Sequence, residues 1–437
     1  MKKIWLVLIV LCLPALLFAR GSSEPAAPSG GGTTGGYLRF AWWGNPTRDE
    51  RTLKVVELFK QNNPGVTVDT ETTGFAGYWD QLAAQAAAGN LPDVMQMDYA
   101  YIDQYNSRNM LVDLKPLADK GLIDLSKWSD AGLSGGRLSG RLVGLNLGVN
   151  AWGMDVDPAI LQRAGVTIND TAWTWKDFEN AALQIYQRTG VQTFPTGEHY
   201  QTIENVVRYF GVPMYASGGK SLGFTNNNAA LAAVKEIIDV QLRLKAAGAL
   251  YDPQDAFIPG RAFPEYPVAK GTAWNHFHWS NQHVALVSAA GRPLNFITCP
   301  APAATGMKAP YGTYLKPSML ISMLTATKNQ ELSAKFINFF INDIEANRIL
   351  MAERGVPIPT TILQDLSSRV DPNMKHTFDY ITKATSVSSA IDPPDPARAG
   401  EARDAMKPIL LDALMGRISS DAAVTQMVQA ANAILGR

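Results

Sequence analysis

The sequence contains 437 residues, with 39 basic and 39 acidic side chains and a formal net charge of zero. This balance provides no basic surface for a polyanion, so we expect no nucleic-acid partner. A chain of this length is expected to form about two domains with large apolar cores.

The first 19 residues have the pattern of a secretory signal peptide. A short basic start precedes an apolar run over residues 4–18, and Ala19 stands before a polar stretch. The apolar run is too short for a comfortable membrane span. A lipid anchor would need a cysteine at the cleavage point, but Cys12 lies inside the apolar run. We therefore expect a periplasmic protein without a lipid anchor, which retains only Cys299 and no internal disulfide.

Residues 20–36 consist mainly of Gly, Ser, Pro, Ala and Thr, which predicts a flexible linker. Strand and helix patterns then alternate. The apolar spacing predicts strands over 37–44, 66–70 and 93–98, and helices over 47–62 and 77–89. We expect Thr47 to cap the first helix, with Glu50 as its capping-box partner. This order of elements predicts a parallel sheet with right-handed crossovers.

Aromatic and acidic side chains follow the first and third of these strands. Trp42 and Trp43 end the first strand, and Asp98, Tyr99 and Tyr101 follow the third. Ligands of open parallel sheets bind beyond the carboxyl ends of the strands. Trp43 is the better candidate, because Trp42 continues the apolar alternation of a core strand. Asp98 can accept hydrogen bonds from two vicinal hydroxyl groups of a ligand, and a helix cap is the alternative interpretation.

A second aromatic stretch lies between Gly271 and Trp279, where indole, phenyl and imidazole rings accompany the amide of Asn275. Indole and imidazole rings combine a flat apolar face with a polar edge, which suits a pyranose ring and its hydroxyls. We interpret this stretch as one wall of a sugar-binding cleft. A buried aromatic strand is the alternative interpretation.

Several short segments occur in an order that is typical of one family. They are Trp42-Trp43-Gly44, Asn63-Pro64-Gly65-Val66, Tyr78-Trp79-Asp80-Gln81-Leu82 and Gly89-Asn90-Leu91-Pro92-Asp93-Val94-Met95. Together they resemble extracellular solute-binding proteins of carbohydrate ABC importers, of the family 1, maltose-binding-protein-like type. The most specific segment spans 328–340 and is followed by Arg354-Gly355-Val356-Pro357. The resemblance extends from about residue 37 to the C-terminus.

The resemblance implies a fold class and a division into domains. The implied fold is α/β, the two-lobed periplasmic-binding-protein fold of type II, with a hinge on which the lobes close around the ligand. The N-terminal lobe would contain residues 37–148 and 309–350, and the C-terminal lobe residues 149–308 and 351–437. The apolar stripe along the helix predicted at 328–340 needs a packing partner, which agrees with its return to the first lobe.

The resemblance also implies candidate ligand-binding residues. The chain should cross between the lobes within 144–152, where Asn150 is the candidate and an ordinary strand amide is the alternative. Trp274, Asn275 and Trp279 should lie on the wall of the second lobe. We expect the three to contact the sugar, without predicting which ring faces it.

Further candidates lie elsewhere in the chain. Trp43 and Tyr78 should belong to the wall of the first lobe. Tyr209, Arg354 and Arg403 are additional candidates. If either arginine lines the cleft, an acidic sugar becomes plausible, because a guanidinium pairs with a carboxylate through two hydrogen bonds.

Two other functions are considered. His276, His278 and His283 lie within eight residues, which is a pattern that a zinc-binding protein would use. No acidic residue lies within ten positions of this cluster, so we do not expect a metal site.

A secreted glycan-active enzyme would also line its cleft with tryptophan and carboxylates. The sequence shows no recognisable catalytic pair of acids, so we expect no enzymatic activity and no catalytic residues.

The sequence and the resemblance together predict the substrate-binding component of an ABC importer. Such a protein captures a sugar or oligosaccharide and delivers it to the transmembrane permease subunits. Ligand contacts both lobes in the closed form, so binding shifts the population toward closure. We expect a monomer that needs no cofactor.

Overall fold

The computed structural model describes residues 35–196, 200–258, 261–303, 305–309 and 311–437. The predicted signal peptide and all but the last two residues of the predicted linker lie outside the described residues. The strands are β1 Tyr37–Trp43, β2 Thr67–Thr73, β3 Val94–Met97, β4 Arg137–Leu138, β5 Arg141–Leu142, β6 Leu145–Asn150, β7 Trp152–Val156, β8 Asn275–Trp279, β9 Asn295–Ile297 and β10 Lys316–Met323.

Helices cover most of the remaining described chain. They are α1 Pro46–Asn62, α2 Phe75–Ala87, α3 Ile102–Ser107, α4 Lys115–Asp119, α5 Asp130–Ser134, α6 Pro158–Ala164, α7 Trp175–Thr189, α8 Tyr200–Arg208, α9 Asn228–Ala246, α10 Pro267–Lys270, α11 His283–Ala290, α12 Gln330–Asn342, α13 Ile344–Leu350, α14 Thr360–Ser367, α15 Pro372–Ser386, α16 Ala399–Leu414 and α17 Ser420–Leu435. In the part of the chain that the structure describes, no helix has the length and apolar character needed to cross a bilayer.

The first lobe is built on a sheet with the strand order β2-β1-β3-β10-β6. Strand β1 pairs in parallel with both β2 and β3, so the predicted parallel arrangement is confirmed for these three strands. Strand β10 returns much later in the chain and pairs antiparallel with β3 and β6. Side chains of β1 alternate between two apolar cores, with Phe40 and Trp42 on one face and Trp43 on the other.

Helix α1 begins earlier than predicted. Asn45 is its N-cap, and the Asn45 side chain accepts a hydrogen bond of 2.9 Å from the backbone N–H of Arg48. Pro46 occupies the first turn, where its missing N–H leaves no intrahelical hydrogen bond unmade. The prediction that Thr47 caps this helix is therefore wrong, because an asparagine cap followed by proline already starts the helix two residues earlier.

The second lobe is built on an antiparallel sheet with the order β8-β7-β9. Helices α7, α8, α9, α16 and α17 contribute to one apolar core with this sheet. Trp175 of α7 is fully buried there and lies 5.9 Å from the ring of Phe277 on β8. The Thr174 side chain caps α7 in a capping box with Asp177.

The segment after residue 350 is shared between the two lobes. We expected all of it to pack on the second lobe. Ile362 and Leu366 of α14 instead lie in the apolar core of the first lobe, with Phe336 of α12. Helices α16 and α17 lie in the core of the second lobe. Helix α15 lies between the lobes, since the Tyr380 hydroxyl donates a 2.6 Å hydrogen bond to the carbonyl of Trp152 on β7.

Candidate functional site

Within the described ranges, the chain passes between the two sheets at three places. Ala151 separates β6 of the first sheet from β7 of the second, inside the segment 144–152. The chain returns between β9 and β10, and it crosses again after α15. The last two crossings lie side by side, because Ser389 N–H donates to the carbonyl of Thr313 at 2.9 Å. Three neighbouring crossings of this kind form a hinge region beside the space between the lobes.

A cavity of about 440 Å³ lies at this hinge. Its first-lobe wall contains Asp98 and Tyr99, which follow the carboxyl end of β3, and Asn150, which ends β6. Lys316 and Ser318 of β10 complete this wall. These polar groups reach the cavity because the strands that carry them end or begin at the same edge of the sheet.

The second-lobe wall combines rings with hydrogen-bonding groups. Trp279 ends β8 and is half-buried, and its ring lies 5.5 Å from Trp152 and 5.9 Å from Tyr314. Tyr200 and Glu204 enter from successive turns of α8. Asn281 and Gln282 also line this wall. Flat rings next to amides and carboxyls can stack on one face of a sugar and bind its hydroxyls.

A third wall is formed by residues 391–395, which we call the strap. The strap contacts the first lobe through Tyr99, whose hydroxyl donates a 2.5 Å hydrogen bond to the carbonyl of Asp392. It contacts the second lobe through the Asp392 carboxylate, which accepts from the backbone N–H of Met214 at 3.0 Å. The strap therefore links both lobes across the cavity.

Arg208 holds the strap and the neighbouring crossing together. Its guanidinium pairs with the Asp392 carboxylate and also donates to Gly312 O at 3.0 Å and to Ser389 Oγ at 2.7 Å. The same guanidinium lies 4.7 Å above the ring of Tyr314. Because Arg208 is almost fully buried, these contacts fix the geometry of the hinge.

Glu204 is a buried carboxyl group that lines the cavity. It is only 7% exposed, and its Oε2 accepts a 2.9 Å hydrogen bond from the Tyr314 hydroxyl. Burial, reinforced by the nearby Asp392 carboxylate, raises the pKa of Glu204 to about 7, although Arg208 and the Tyr314 hydrogen bond oppose the shift. A carboxyl group of this kind can donate as well as accept a hydrogen bond near neutral pH.

Three of the residues proposed from the sequence meet in this cavity: Asp98, Asn150 and Trp279. Asp98 also accepts a 2.8 Å hydrogen bond from the backbone N–H of Ala100. Helix α3 begins only at Ile102, so this contact closes a local turn before the helix. One carboxylate oxygen of Asp98 is thus used locally, while the residue still lines the cavity.

Trp274 and Asn275 do not reach the cavity. Trp274 is fully buried in the core of the second lobe, where its Nε1 donates to Thr193 Oγ1 at 2.8 Å. Asn275 is also fully buried, and its amide exchanges two hydrogen bonds with the backbone of Phe194. The structure therefore does not bring these two residues to the cavity, contrary to what we expected. Trp274 precedes β8 and Asn275 begins it, and both are buried, whereas Trp279 at the end of β8 lines the cavity.

Trp43 and Tyr78 belong to the second apolar core of the first lobe. Trp43 is 6% exposed, and its ring packs against Phe75, Tyr78 and Trp79 at 5.3 to 5.7 Å. The Tyr78 hydroxyl donates to the carbonyl of Gln96 at 2.7 Å. Neither side chain lines the cavity, because helix α2 covers this face of the sheet. Trp42 is likewise a core residue, as its alternation suggested.

Tyr209 and the two candidate arginines have structural partners. Tyr209 is buried in the second-lobe core, and its carbonyl accepts from the backbone N–H groups of Lys308 and Ala309. Arg354 is 3% exposed and donates to Gln96 Oε1 and Thr52 Oγ1. Its role as a ligand contact is therefore not supported. Arg403 pairs with Asp395 of the strap at 2.5 Å.

Reasoning from the sequence missed Glu204, Tyr314 and Lys316. Tyr200 and Glu204 stand four residues apart, so one face of α8 presents a ring and a carboxyl together. That spacing could have identified Tyr200 and Glu204 as candidates from the sequence. Tyr314 and Lys316 carry no local pattern, since the long return of the chain to the first lobe places them at the cavity.

The histidine cluster has an acidic partner from a distant strand. The Asp155 carboxylate is fully buried on β7 and contacts His278 Nε2 at 2.6 Å and His283 Nδ1 at 2.7 Å. Burial alone would raise its pKa, but the two histidines outweigh that effect and lower it. Among the described residues, no group of three or more His, Cys, Asp or Glu side chains is arranged to hold a metal ion.

Comparisons with known proteins identify the family and the fold of the chain. The model of the bacterial extracellular solute-binding protein family matches residues 54–376. A family 1 extracellular solute-binding protein from Alicyclobacillus acidocaldarius is 26% identical and has a TM-score of 0.84, over 93% of this chain and 100% of that chain.

Two further solved structures share the fold. A periplasmic oligogalacturonide-binding protein from Yersinia enterocolitica is 22% identical, with a TM-score of 0.73 over 91% of this chain and 98% of that chain. A cyclic α-maltosyl-1,6-maltose-binding protein from Arthrobacter globiformis is 16% identical, with a TM-score of 0.66 over 92% and 99%. The resemblance stated from the sequence is thus confirmed, and the chain belongs to the bacterial extracellular solute-binding protein family.

Proposed function

We propose that this protein captures a sugar or oligosaccharide in the cavity between its lobes and delivers it to the transmembrane subunits of an ABC importer. The observation that carries the proposal is the meeting of Trp279, Asp98 and Asn150 in one interlobe cavity. The half-buried indole offers a stacking surface, and the carboxylate and amide offer hydrogen bonds to hydroxyl groups. Relatives whose names state that they bind oligogalacturonide or a cyclic maltosyl-maltose support a saccharide as the ligand.

Capture would proceed by a shift of conformational population. Asp98 and Asn150 belong to the first lobe and Trp279 to the second, so a ligand that contacts all three stabilises the arrangement in which the lobes are close. The permease would then recognise that arrangement. We propose that the protein acts in the periplasm as a monomer, without a cofactor, and releases its ligand chemically unchanged.

The test is a thermal-shift screen of the mature protein, because a ligand that binds only the folded state raises the melting temperature. The panel contains neutral mono- and oligosaccharides, uronates, polyols and zinc chloride. We expect a shift with a saccharide, and recovery of that saccharide unchanged after prolonged incubation. A shift with zinc alone would contradict the proposal, and cleavage of the saccharide would indicate an enzyme.

A further inference from the structure

We propose that the cavity selects uncharged saccharides, and that Glu204 is the residue that rejects sugars bearing a carboxylate. This inference rests on the proposed function, since it concerns the ligand class of the same cavity. It is drawn from the charges of the walls and from the hydrogen bonds that these charged groups already make.

The walls carry more acidic than basic groups. Asp98, Glu204, Asp392 and Asp395 line the cavity, whereas Lys316 is the one cation among the described lining residues. Asp392 is paired with Arg208, and Asp395 with Arg403. Among the described lining residues, the charged groups without an ion pair are the acids Asp98 and Glu204 and the cation Lys316. A ligand carboxylate would therefore add a negative charge to a cavity whose described walls have no surplus of positive charge.

The arginines near the cavity are already engaged. Arg208 donates to Asp392, to Ser389 and to the carbonyl of Gly312. Arg403 donates to Asp395 and lies 4.3 Å above the ring of Tyr200. A guanidinium binds a ligand carboxylate well when it presents two free N–H groups side by side. Neither arginine lines the cavity with such a pair, so the described walls offer no guanidinium for two-point recognition of a uronate.

Lys316 does not replace the missing guanidinium. Its ammonium lies 4.8 Å above the ring of Trp279 and is exposed to solvent. A hydrated ammonium is a single point charge without a fixed two-point geometry. Lys316 therefore partly balances the acidic wall and lies over one face of the indole.

Glu204 is placed to distinguish a hydroxyl from a carboxylate. One of its oxygens accepts from Tyr314, and the other receives no hydrogen bond from the described residues. A sugar hydroxyl can donate to an ionised Glu204 or accept from a protonated one, so it is bound in either state. A ligand carboxylate can only accept, so it is repelled once Glu204 is ionised.

This arrangement makes the discrimination dependent on pH. The charged groups that face Glu204 are Arg208 on the same helix and Asp392 and Asp395 on the strap. Its titratable neighbours also include four tyrosines, namely Tyr314, Tyr99, Tyr200 and Tyr215. Raising the pH from 6 to 8 ionises Glu204, whose pKa is about 7, while a uronate remains ionised throughout. Uronate binding should therefore weaken over this range, relative to binding of a neutral sugar.

The experiment measures the dissociation constants of neutral trisaccharides of glucose, galactose, mannose and xylose, and of trigalacturonate, by calorimetry at pH 6 and pH 8. At pH 8 we expect the best neutral ligand to bind more tightly than trigalacturonate by at least about tenfold, because the ligand carboxylates would lie next to the ionised Glu204. The ratio of the dissociation constant of trigalacturonate to that of the best neutral ligand should be smaller at pH 6. In Glu204→Gln the ratio at pH 8 should also fall, and its dependence on pH should disappear.

Glu331→Gln is the matched control, since Glu331 is an exposed carboxylate on α12 of the first lobe and does not line the cavity. This variant should retain the ratio of the unmodified protein. Preferential binding of trigalacturonate at pH 8 would overturn the inference and leave the proposed function standing. A ratio that is equal at both pH values would overturn the role of Glu204, even if Glu204→Gln does not fold. Failure of every saccharide to bind would overturn both proposals.

Discussion

The ammonium of Lys316 lies 4.8 Å above the indole ring of Trp279. Lys316 begins β10 in the sheet of the first lobe, and Trp279 ends β8 in the sheet of the second lobe. The contact therefore joins the two lobes through a cation–π interaction at the cavity. Trp279 is the one aromatic side chain of segment 271–279 that lines the cavity. The contact places it against the wall of the first lobe.

Trp279→Ala is expected to weaken saccharide binding by about 1–3 kcal/mol, the range for loss of a large aromatic contact. The melting temperature without ligand should fall less than it would for truncation of the fully buried Trp274, because the Trp279 side chain is only partly buried. Calorimetric titration with the saccharide found in the thermal-shift screen provides the measurement. An unchanged affinity would show that the ligand does not stack on this ring.

Trp274→Ala should lower the stability of the protein and should not act through a lost ligand contact. Trp274 is fully buried, packs 5.3 Å from the ring of Phe178 and hydrogen-bonds to Thr193. We expect the free energy of unfolding to fall by about 3–5 kcal/mol, as for other buried tryptophans that are truncated to alanine. Urea denaturation measures this loss. Weaker ligand binding with unchanged stability would instead restore Trp274 to the cavity wall.

Glu204→Gln should change the dependence of stability on pH. Because the pKa of Glu204 is raised from 4.5 to about 7 on folding, the folded state binds more protons than the unfolded state between these values. The stability contributed by Glu204 therefore decreases as the pH rises from about 4.5 to 7 and then levels off. The free energy of unfolding of the variant, relative to that of the unmodified protein, should therefore be higher at pH 8 than at pH 5 by about 2.5 kcal/mol.

Urea denaturation at the two pH values tests this sign, with Glu331→Gln as the control for loss of a carboxylate. The control variant should show the same difference in stability from the unmodified protein at both pH values. A Glu204→Gln variant whose relative stability does not change between pH 5 and pH 8 would contradict the raised pKa.

Asp155→Asn should destabilise the second lobe by about 2–4 kcal/mol at pH 7, because it removes a buried charge that two histidines contact. The pKa of Asp155 is lowered, so its stabilising effect is present above the pKa of the unfolded chain and is lost as the pH falls through the folded value. Urea denaturation at pH 7 measures the loss. The exposed Asp103→Asn on α3 is the control, and an equal effect of both substitutions would refute a structural role for the buried network.

Local patterns in the sequence were sufficient for much of the first lobe. The alternation of Phe40 and Trp42 predicted a buried strand, and the order of strands and helices predicted the parallel pairing of β1 with β2 and β3. The position of Asp98 after β3 followed from the same order. These properties depend on residues within one or two elements of each other, so periodicity alone reveals them.

The sequence by itself thus determined the family, the parallel strands of the first lobe and a group of candidates that includes Asp98, Asn150 and Trp279. Only the tertiary structure decided which side chains face the cavity and which face a core. Trp274 and Trp279 stand five residues apart in one aromatic run, yet the packing of β8 against β7 and α7 buries one and leaves the other at the hinge. Glu204 and its partner Tyr314 lie 110 residues apart and meet only when the chain returns to the first lobe. Contacts between distant segments leave no periodic trace in the sequence, which is why folding alone brings them together.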